Sequence, residues 1–205
     1  MLRFAVPKGR LLEPLVELAD RHGLALGEAL AGAGRQLVVE TAGLRLLLLK
    51  DADVPVYVEQ GAADCGVAGL DQILDRDADV LRLLRLPFGA CRLCLIAREG
   101  EVVREEGRPL VLASKYQRLA GMLAQRRGLN ATLVPLAGSV ELAARLGLAD
   151  AVVDLVETGR TLRENGLQPV EEWLAVAPYL IAQRAAFLWK CEEMRALRRA
   201  LGGQE

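Results

Sequence analysis

The feature of this sequence that most limits its possible folds is a repeated alternation of short apolar segments with longer amphipathic ones. The short segments have the length and composition of strands, and the longer ones repeat apolar residues at helical spacing. The predicted strands are Leu2–Val6, Gln36–Glu40, Arg45–Leu49, Cys65–Ala68, Val80–Leu86, Cys91–Ala97, Leu110–Ala113, Ala131–Pro135, Ala151–Leu155 and Val170–Ala177. The predicted helices are Leu11–Arg21, a helix with Pro55 in its first turn that ends near Gly61, Asp71–Asp75, Gln117–Arg127, a helix beginning near Val140, Thr158–Asn165 and Arg184–Leu201. This order predicts an α/β protein with mainly parallel sheets.

Small and polar residues predict where several of these elements begin and end. Ala42 and Gly43 predict the turn between two strands, and Asp53 and Ser139 predict helix N-caps. The charged segment Glu99–Pro109 predicts a surface loop. With 205 residues, the chain has room for one domain or two small lobes.

Composition and charge exclude several classes of protein. Hydrophobic residues make up 52% of the chain and charged residues 26%, so enough apolar surface is available to exclude disorder of the whole chain. The 26 Lys and Arg against 27 Asp and Glu give a net charge of -1, which argues against a general nucleic-acid-binding protein. No stretch approaches the ~18 apolar residues that a membrane helix needs, and no signal-peptide core is present. We therefore expect a cytoplasmic protein that binds neither nucleic acid nor membrane.

The four cysteines fit a reducing compartment, where disulfides are rare. Cys91 and Cys94 form a C-R-L-C sequence, but both lie in a predicted strand. Residues three apart in a strand point to opposite faces, which disfavours a shared metal or redox site. We expect inert thiols here and at Cys65 and Cys191. His22 stands at a predicted helix end, where we expect a structural role.

The segment 147–167, G-L-A-D-A-V-V-D-L-V-E-T-G-R-T-L-R-E-N-G-L, is the richest in chemistry. An apolar strand runs into E-T-G-R-T and then into a helix. Gly159 permits a tight turn, while Thr158 and Thr161 supply hydroxyls beside the free N–H groups of the helix start. This combination is typical of a phosphate-binding loop. An ordinary link between a strand and a helix, with Thr as the cap, is the alternative at this point.

Two carboxylates flank the same strand, Asp150 before it and Asp154 near its end. Carboxylates would repel a phosphate but are suited to the hydroxyls of a neighbouring sugar, as in dinucleotide sites. The segment therefore points to a ribose 5-phosphate group.

Cationic and aromatic residues follow two other predicted strands. Lys8 and Arg10 lie in the loop after the first strand, where they can neutralise a polyphosphate or form a solvated turn. Lys115 and Tyr116, in S-K-Y, follow the strand Leu110–Ala113. Lysine there can meet a phosphate, and tyrosine can stack on a base.

Glycines and acidic residues cluster between Asp53 and Asp71, in D-V-P-V-Y-V-E-Q-G-A-A-D-C-G-V-A-G-L-D. The glycines indicate tight turns and close backbone approach. Asp64 and Asp71 stand at predicted strand ends. Asp71 is either a helix cap or a ligand-binding residue.

Together the segments V-P-K-G-R-L, the glycine-rich segment up to Asp71, S-K-Y, G-S-V-E-L-A and the segment 147–167 resemble the ATP phosphoribosyltransferases. These transferases catalyse the first step of histidine biosynthesis. The resemblance runs from Arg3 to about Leu180, and the last segment is highly specific. Ala144 stands where the family more often has proline, which concerns only a local turn.

The resemblance implies a two-lobed fold like that of periplasmic binding proteins, that of type II phosphoribosyltransferases, with a cleft between the lobes. Residues 1–88 and 176–205 would form lobe I, and residues 89–175 would form lobe II with the phosphoribosyl-binding loop. The implied reaction is a pentosyl transfer: N1 of ATP attacks the anomeric carbon of 5-phosphoribosyl-1-pyrophosphate. The products are N1-(5-phosphoribosyl)-ATP and pyrophosphate, and Mg²⁺ is the implied cofactor.

The resemblance also implies roles for individual residues. Those expected to bind phosphoribosyl pyrophosphate are Glu141, Asp150, Asp154, Glu157, Thr158, Gly159, Arg160 and Thr161. The expected catalytic cations are Lys8, Arg10 and Arg35, which would stabilise the departing pyrophosphate, where one preorganised donor contributes ~3–4 kcal/mol. The residues expected to bind ATP are Asp71, Lys115 and Tyr116. The ligands of Mg²⁺ stay unassigned, and no residue stands out as a general base.

Long members of the family carry an added C-terminal regulatory domain, and this sequence resembles the short form, which lacks it. Short members work with a regulatory subunit that resembles histidyl-tRNA synthetase, in a hetero-octamer. Two alternatives stay open: a two-lobed ligand-binding module without chemistry, and a phosphoribosyltransferase with another nucleophile. A turnover assay with ATP and other bases separates all three.

Overall fold

The computed structural model of the chain describes residues 1–41, 43–103 and 107–203. The strands are β1 (Leu2–Lys8), β2 (Val38–Thr41), β3 (Leu44–Lys50), β4 (Cys65–Gly69), β5 (Leu81–Arg85), β6 (Cys91–Arg98), β7 (Leu110–Ser114), β8 (Ala131–Pro135), β9 (Ala151–Val156), β10 (Leu167–Val176) and β11 (Pro178–Ala182). The helices are α1 (Leu12–Arg21), α2 (Leu26–Ala31), α3 (Val54–Glu59), α4 (Leu70–Arg76), α5 (Gln117–Arg126), α6 (Glu141–Arg145), α7 (Arg160–Glu164), α8 (Arg184–Trp189) and α9 (Cys191–Ala200). A short 3₁₀ helix over Asp51–Asp53 precedes α3.

The chain forms two compact units, one of Met1–Gly89 with Ala177–Glu205 and the other of Ala90–Val176. The sheet of the first unit has the order β2-β3-β1-β4-β11-β5, and that of the second has the order β10-β6-β9-β7-β8. In the first sheet β1 is parallel to β3 and β4, and in the second β7 is parallel to β8 and β9. The carboxyl ends of these parallel strands therefore share one edge within each sheet.

Both sheets are mixed, so the α/β class is confirmed but the expectation of mainly parallel pairing is wrong. Strands β2, β5 and β11 enter the first sheet through antiparallel pairs. In the second sheet β6 is antiparallel to both β9 and β10. Only two residues separate β2 from β3 in the chain, and β11 returns from the second unit. Neither connection is a helical crossover of the kind that parallel neighbours require.

The sheet of the first unit is covered on both faces because alternate residues of each strand point to opposite sides. On one face Phe4 and Leu180 pack with Leu15 of α1 and Leu197 of α9. On the other face Ala5, Ala68 and Ile181 pack with Val54 and Val58 of α3. Fully burying one such large side chain contributes about 1.5–3 kcal/mol.

A buried carboxylate joins the two chain segments of the first unit. Asp64 accepts hydrogen bonds from the backbone N–H of Arg3 at 2.8 Å, from Arg3 Nη2 at 2.6 Å and from Lys190 Nζ at 2.7 Å. Burial alone would raise the pKa of Asp64, but these donors outweigh it and hold the pKa at about 2. Asp64, which stands out in the sequence, therefore has a structural function.

The second unit has its own core on one face of its sheet. Ile96, Val152 and Ala113 pack there against residues of α6 and α7, including Ala143 and Leu162. The unit presents β10 and β8 as its edge strands. Among the described residues no helix is long and apolar enough to cross a membrane.

Several predicted elements differ from the observed ones. The predicted helix Arg184–Leu201 is two helices, because α8 ends at Trp189 and α9 begins at Cys191. Lys190, between them, is held by Asp64 and leaves the helical conformation with φ −126°. Helix α2 and strand β11 were not predicted. The predicted turn residue Ala42 and residues 104–106 of the predicted loop lie outside the described residues.

The two predicted helix caps have different outcomes. Asp53 is the N-cap residue of α3, as predicted, but it has helical dihedral angles and its side chain makes no capping hydrogen bond. Val140, not Ser139, is the N-cap of α6, and Ser139 has a left-handed conformation with φ +49°. All four cysteines are free, and burial raises the pKa of the Cys65 thiol.

Candidate active site

The loop between β9 and α7 has the backbone of the predicted phosphate-binding turn. Gly159 is the N-cap of α7 and has φ +69°, a left-handed conformation that glycine adopts without the steric penalty of a Cβ. The Thr158 Oγ1 accepts a hydrogen bond from the Arg160 backbone N–H at 3.4 Å. Glu157, Thr158, Arg160 and Thr161 are exposed. The loop thus presents hydroxyls and amide groups to solvent at the carboxyl end of a buried strand.

Two arginines that the sequence analysis did not single out lie beside this loop. Arg163 Nη1 donates to the Thr158 carbonyl oxygen at 3.3 Å, and a Cβ at Gly159 would lie 3.4 Å from the same nitrogen. Arg163 and Arg92 help to line a pocket of about 270 Å³ together with Thr158 and Gly159. The sequence could have indicated Arg163, because it lies three residues after Arg160 on the same short helix. The sequence does not indicate Arg92, because only the register of the sheet brings it opposite Val156.

Asp154, Lys115 and Glu141 form a charged cluster near the carboxyl end of β9. The Asp154 side chain is only 14% exposed, and its Oδ1 lies 3.3 Å from Lys115 Nζ. Burial raises the pKa of Asp154, and the charge of Glu141 raises it further, while Lys115 opposes both effects. The structure therefore brings together three of the residues that the sequence analysis singled out.

Ser114 explains why the S-K-Y segment lies at this cluster. Its buried hydroxyl donates to the Val153 carbonyl at 2.7 Å and accepts from the Tyr116 N–H at 3.0 Å. This pair of bonds ties the end of β7 to β9 and holds Lys115 beside Asp154. Tyr116 is only 2% exposed, so its ring does not lie open for stacking on a base. Instead Lys115 Nζ lies 5.0 Å from the centroid of that ring.

Asp150 lies at the opposite end of β9 from the loop. It accepts hydrogen bonds from Arg108 at 2.6 and 2.7 Å and from the Val111 N–H at 2.7 Å. The Arg108 guanidinium holds the pKa of Asp150 below its usual range. Four residues of strand separate Asp150 from Asp154 by about 13 Å. The structure therefore does not bring Asp150 to the predicted ribose site.

In the first unit the predicted cations lie at the carboxyl edge of the parallel strands. Lys8 ends β1 opposite Lys50 of β3. Arg10 follows in the next loop and donates from Nη1 to the Gly89 carbonyl at 3.1 Å. Arg35 is exposed in the turn before β2, near the same edge, because Leu37 bonds to Leu48 of β3. The sheet thus gathers cations that are far apart in the sequence.

Asp71 differs from its predicted roles. It lies in the first turn of α4, whose N-cap is Gly69, so it is not the helix cap. Its side chain is buried and accepts a hydrogen bond from Gln72 Nε2 at 3.2 Å. A Cβ at Gly69 would require this carboxylate to shift. In this structure the Asp71 carboxylate is not presented for ATP.

The chain is similar to a known protein family. Residues 50–203 match the family described as HisG: ATP phosphoribosyltransferase. The ATP phosphoribosyltransferase of Thermococcus kodakarensis is 44% identical over 187 residues, which cover 90% of this chain and 89% of the relative. That of Sorangium cellulosum is 43% identical over 198 residues, which cover 96% of this chain and 92% of the relative.

Solved structures agree with this assignment. The ATP phosphoribosyl transferase (HisG:HisZ) complex from Thermotoga maritima matches with a TM-score of 0.86 and 28% identity, over 98% of this chain and 96% of that chain. The periplasmic aliphatic sulphonate binding protein SsuA from Escherichia coli matches with a TM-score of 0.64 over 98% of this chain and 70% of its own. At 12% identity, SsuA supports only the periplasmic-binding-protein-like fold. The family match and the two relatives show that this chain belongs to the ATP phosphoribosyltransferase family.

Proposed function

We propose that this chain is the catalytic subunit of a short-form ATP phosphoribosyltransferase, with the loop 157–161 as its phosphoribosyl site. The family transfers the phosphoribosyl group of 5-phosphoribosyl-1-pyrophosphate to N1 of ATP in the first step of histidine biosynthesis. The observation that carries the residue assignment is the exposed loop after β9 with Asp154 and Lys115 at its base. A strand, a left-handed glycine and a helix start occur there in the order that phosphate binding requires.

The loop binds the 5-phosphate in this proposal. The backbone N–H groups after Gly159 and the hydroxyls of Thr158 and Thr161 donate to the phosphate oxygens. Arg163 acts through the loop, since its guanidinium holds the Thr158 carbonyl and keeps the turn in shape. Glu157 and Arg160 complete the loop, and Arg160 is paired with Glu164 at 2.8 Å.

Asp154 and Lys115 bind different substrates in this proposal. The Asp154 carboxylate accepts hydrogen bonds from the ribose hydroxyls and stabilises the positive charge that develops on the sugar as pyrophosphate leaves. Lys115, exposed above it, turns to a phosphate of ATP. Attack by the adenine nitrogen, which carries a lone pair and no proton at N1, needs no general base on the chain.

The cations of the first unit act on the leaving group in this proposal. Lys8, Arg10 and Arg35 are exposed, so they are available to pyrophosphate oxygens. The two arginines offer planar forks that match phosphate geometry, whereas Lys8 acts as a point charge. Charge on the leaving group grows in the transition state, so these contacts lower the barrier more than they tighten substrate binding.

The residues fit a Mg²⁺ ion that is held mainly by substrate. Mg²⁺ keeps several waters and binds through one or two carboxylates together with substrate phosphates. Asp154 and Glu141 are two such carboxylates, close enough for one charge to shift the pKa of the other. The part of the chain that the structure describes contains no group of three or more His, Cys, Asp or Glu that could form a metal cage. When bound, Mg²⁺ would neutralise charge on the pyrophosphate.

The proposal includes a regulatory partner and a cytoplasmic location. The Thermotoga maritima relative was solved as a HisG:HisZ complex, and this chain matches 96% of the relative's length. A subunit that resembles histidyl-tRNA synthetase is therefore the expected partner, with the hetero-octamer as the expected assembly. The proposed substrates, ATP and phosphoribosyl pyrophosphate, support the cytoplasmic location that we propose.

A turnover assay tests this function. The purified chain is incubated with phosphoribosyl pyrophosphate, Mg²⁺ and either ATP, GTP or free adenine, and pyrophosphate release is followed together with the mass of the nucleotide product. We expect phosphoribosyl-ATP from ATP and no product from the other two. Turnover with another base, or binding of the substrates without turnover, contradicts the proposal.

A further inference from the structure

The turn that joins β7 to α5 carries the lysine that the proposed function assigns to ATP. We call its two residues, Lys115 and Tyr116, the lysine turn. Lys115 is exposed, whereas Ser114 before it and Tyr116 after it are buried. Tyr116 is the N-cap residue of α5, but its side chain makes no capping hydrogen bond. Other side chains therefore fix this turn and, with it, the backbone of Lys115.

Gln117, the first residue of α5, ties the lysine turn to two strands. Its Nε2 donates to the Ser114 carbonyl oxygen at 2.5 Å and to the Val134 carbonyl oxygen at 3.3 Å. Carbonyl oxygens only accept hydrogen bonds, so the NH₂ end of the amide is the end that faces them. Val134 lies in β8, which is parallel to β7. One side chain thus joins the start of α5 to the carboxyl ends of β7 and β8.

The residue before the lysine turn is held towards β8 and towards β9 at the same time. On the side of β8 the Leu136 N–H also donates to the Ser114 carbonyl oxygen, at 3.1 Å. On the side of β9 the Ser114 hydroxyl donates to the Val153 carbonyl oxygen at 2.7 Å. Lys115 Nζ then lies 3.3 Å from Asp154 Oδ1. Because a lysine side chain is long and flexible, a fixed backbone limits the places that Nζ can reach.

We propose that Gln117 is a positioning residue for ATP: its side-chain amide holds the lysine turn against β8, so that Lys115 Nζ stays beside Asp154 and meets a phosphate of ATP there. The amide of Gln117 is engaged by two carbonyl groups, so Gln117 acts through Lys115 and does not touch the substrate. The proposal rests on the proposed function for the identity of the substrate. It adds a residue that the sequence analysis did not single out, and a contact between α5 and β8 on which the ATP site depends.

A positioning role and a merely structural role of Gln117 have different kinetic effects. If the amide only stabilised the fold, its loss would lower the fraction of folded chain, and kcat would fall while both KM values stayed the same. If the amide positions Lys115, its loss weakens a contact with ATP alone. KM for ATP then rises, and KM for phosphoribosyl pyrophosphate, which the loop 157–161 binds in the proposed function, does not.

Steady-state kinetics with each substrate varied in turn, together with calorimetric titration of the chain with ATP, test the proposal. The test variant Gln117→Met keeps the length of the side chain but removes the donor. The smaller variant Gln117→Ala removes the donor with less risk to the fold, which thermal unfolding checks for both. We expect each to raise KM and Kd for ATP about tenfold and to leave KM for phosphoribosyl pyrophosphate within about twofold of wild type. Gln125→Met is the matched control, because Gln125 is exposed on the same helix, and it should behave as wild type.

A double-mutant cycle tests whether Gln117 acts through Lys115. In a chain that already carries Lys115→Met, the change Gln117→Met should leave KM for ATP where Lys115→Met put it, because the contact that Gln117 supports is gone. Effects that multiply in the double variant overturn the positioning role. A wild-type KM for ATP in either folded variant of Gln117, or equal changes in KM for both substrates, also overturns it and leaves the proposed function in place. A wild-type chain that neither binds nor turns over ATP overturns the proposed function and this inference together.

Discussion

Asp154 and Asp64 are both largely removed from solvent, yet their surroundings move their pKa values in opposite directions. Around Asp154 burial dominates, and Lys115 and the backbone N–H of Leu155 do not compensate, so the pKa is raised. Around Asp64 three donors outweigh burial, so the pKa falls to about 2. A raised carboxylate pKa means that the ionised group costs stability at neutral pH, which is typical of a group kept for function. The lowered pKa of Asp64 means that its ionised carboxylate stabilises the fold at neutral pH.

For Asp154 we therefore expect activity and stability to separate. Asp154→Asn should lower kcat by about 10²–10³-fold, because one charge that stabilises the transition state is removed. A carboxyl group whose pKa is raised in the folded chain stabilises the fold fully at low pH, and this contribution is lost as the pH rises through the raised pKa. At pH 7 the Asp154→Asn variant should therefore unfold at the same temperature as wild type or at a higher one. Steady-state kinetics and thermal unfolding measure the two effects. Asp79→Asn, at an exposed carboxylate paired with Arg184, is the control that should keep full turnover. A loss of both turnover and stability in Asp154→Asn would mean that this residue supports the fold instead.

For Asp64 we expect the opposite pattern. The shift of its pKa from 3.8 to about 2 corresponds to about 2 kcal/mol of stability at pH 7. This contribution is present above the unfolded pKa near 4 and is lost as pH falls towards 2. Asp64→Asn should thus lower the free energy of unfolding by at least about 2 kcal/mol at pH 7, since Arg3 and Lys190 also lose their partner. Urea unfolding at pH 7 and near pH 3 measures the difference between variant and wild type, which should shrink at the lower pH. A difference that does not change with pH would contradict this account of Asp64.

At the scale of secondary structure, the phosphoribosyl loop depends on one left-handed residue. Gly159→Val should strain the turn and direct a branched side chain at Val156 and Arg163, which lie within 4 Å of a Cβ there. We expect KM for phosphoribosyl pyrophosphate to rise at least tenfold while KM for ATP changes little. Gly147→Val is the matched control, because Gly147 has φ +72° at the end of α6 and no neighbour within 4 Å. Both variants should lose comparable stability, about 1–2 kcal/mol, in thermal unfolding. An unchanged KM in a folded Gly159→Val variant would remove the loop from the site.

The elements that the sequence predicts well are those whose signal is local. Strand β8 matches its predicted bounds, Ala131–Pro135, and α1 and α5 match theirs within one residue. Apolar periodicity and glycine ends determine these elements without help from the rest of the chain. The break at Lys190 is different, because the periodicity of Arg184–Leu201 continues through it. Lys190, where one helix ends and the next begins, is bound by Asp64 and by the Met1 carbonyl, both far away in sequence.

In the candidate site, too, features that depend on neighbouring residues could be predicted, and features that depend on distant contacts could not. The turn at Gly159 follows from the sequence, because a strand, a glycine and a helix start are adjacent in the chain. The places of Asp150 and Tyr116 do not follow, since they depend on which end of a strand a residue occupies and on how tightly its neighbours pack. Asp150 is engaged by Arg108 from a different part of the chain, and Tyr116 is covered by the core of its unit.

At the scale of the whole molecule, the chain builds its first unit from two separated segments. Strand β11 and the C-terminal helices return to the sheet that residues 1–89 began, where β11 lies between β4 and β5. Periodicity in the sequence marks strands and helices but not the sheet that each strand joins. The mixed pairing of both sheets was missed for this reason, because pairing is decided by contacts between distant segments.

The last prediction concerns feedback control, which belongs to the assembly. Inhibition by histidine requires a binding site coupled to the catalytic residues by ~1–3 kcal/mol, a 5- to 150-fold change in affinity. The proposed function assigns the loop 157–161 and the exposed cations of the first unit to the two substrates, and it assigns control to a regulatory subunit. We therefore expect initial rates of the isolated chain to respond weakly or not at all to histidine. Addition of the regulatory subunit should introduce inhibition, together with a larger mass by light scattering. Strong inhibition of the chain alone, at histidine concentrations that inhibit the complex, would place the inhibitor site on this chain and contradict the assignment of control to a partner.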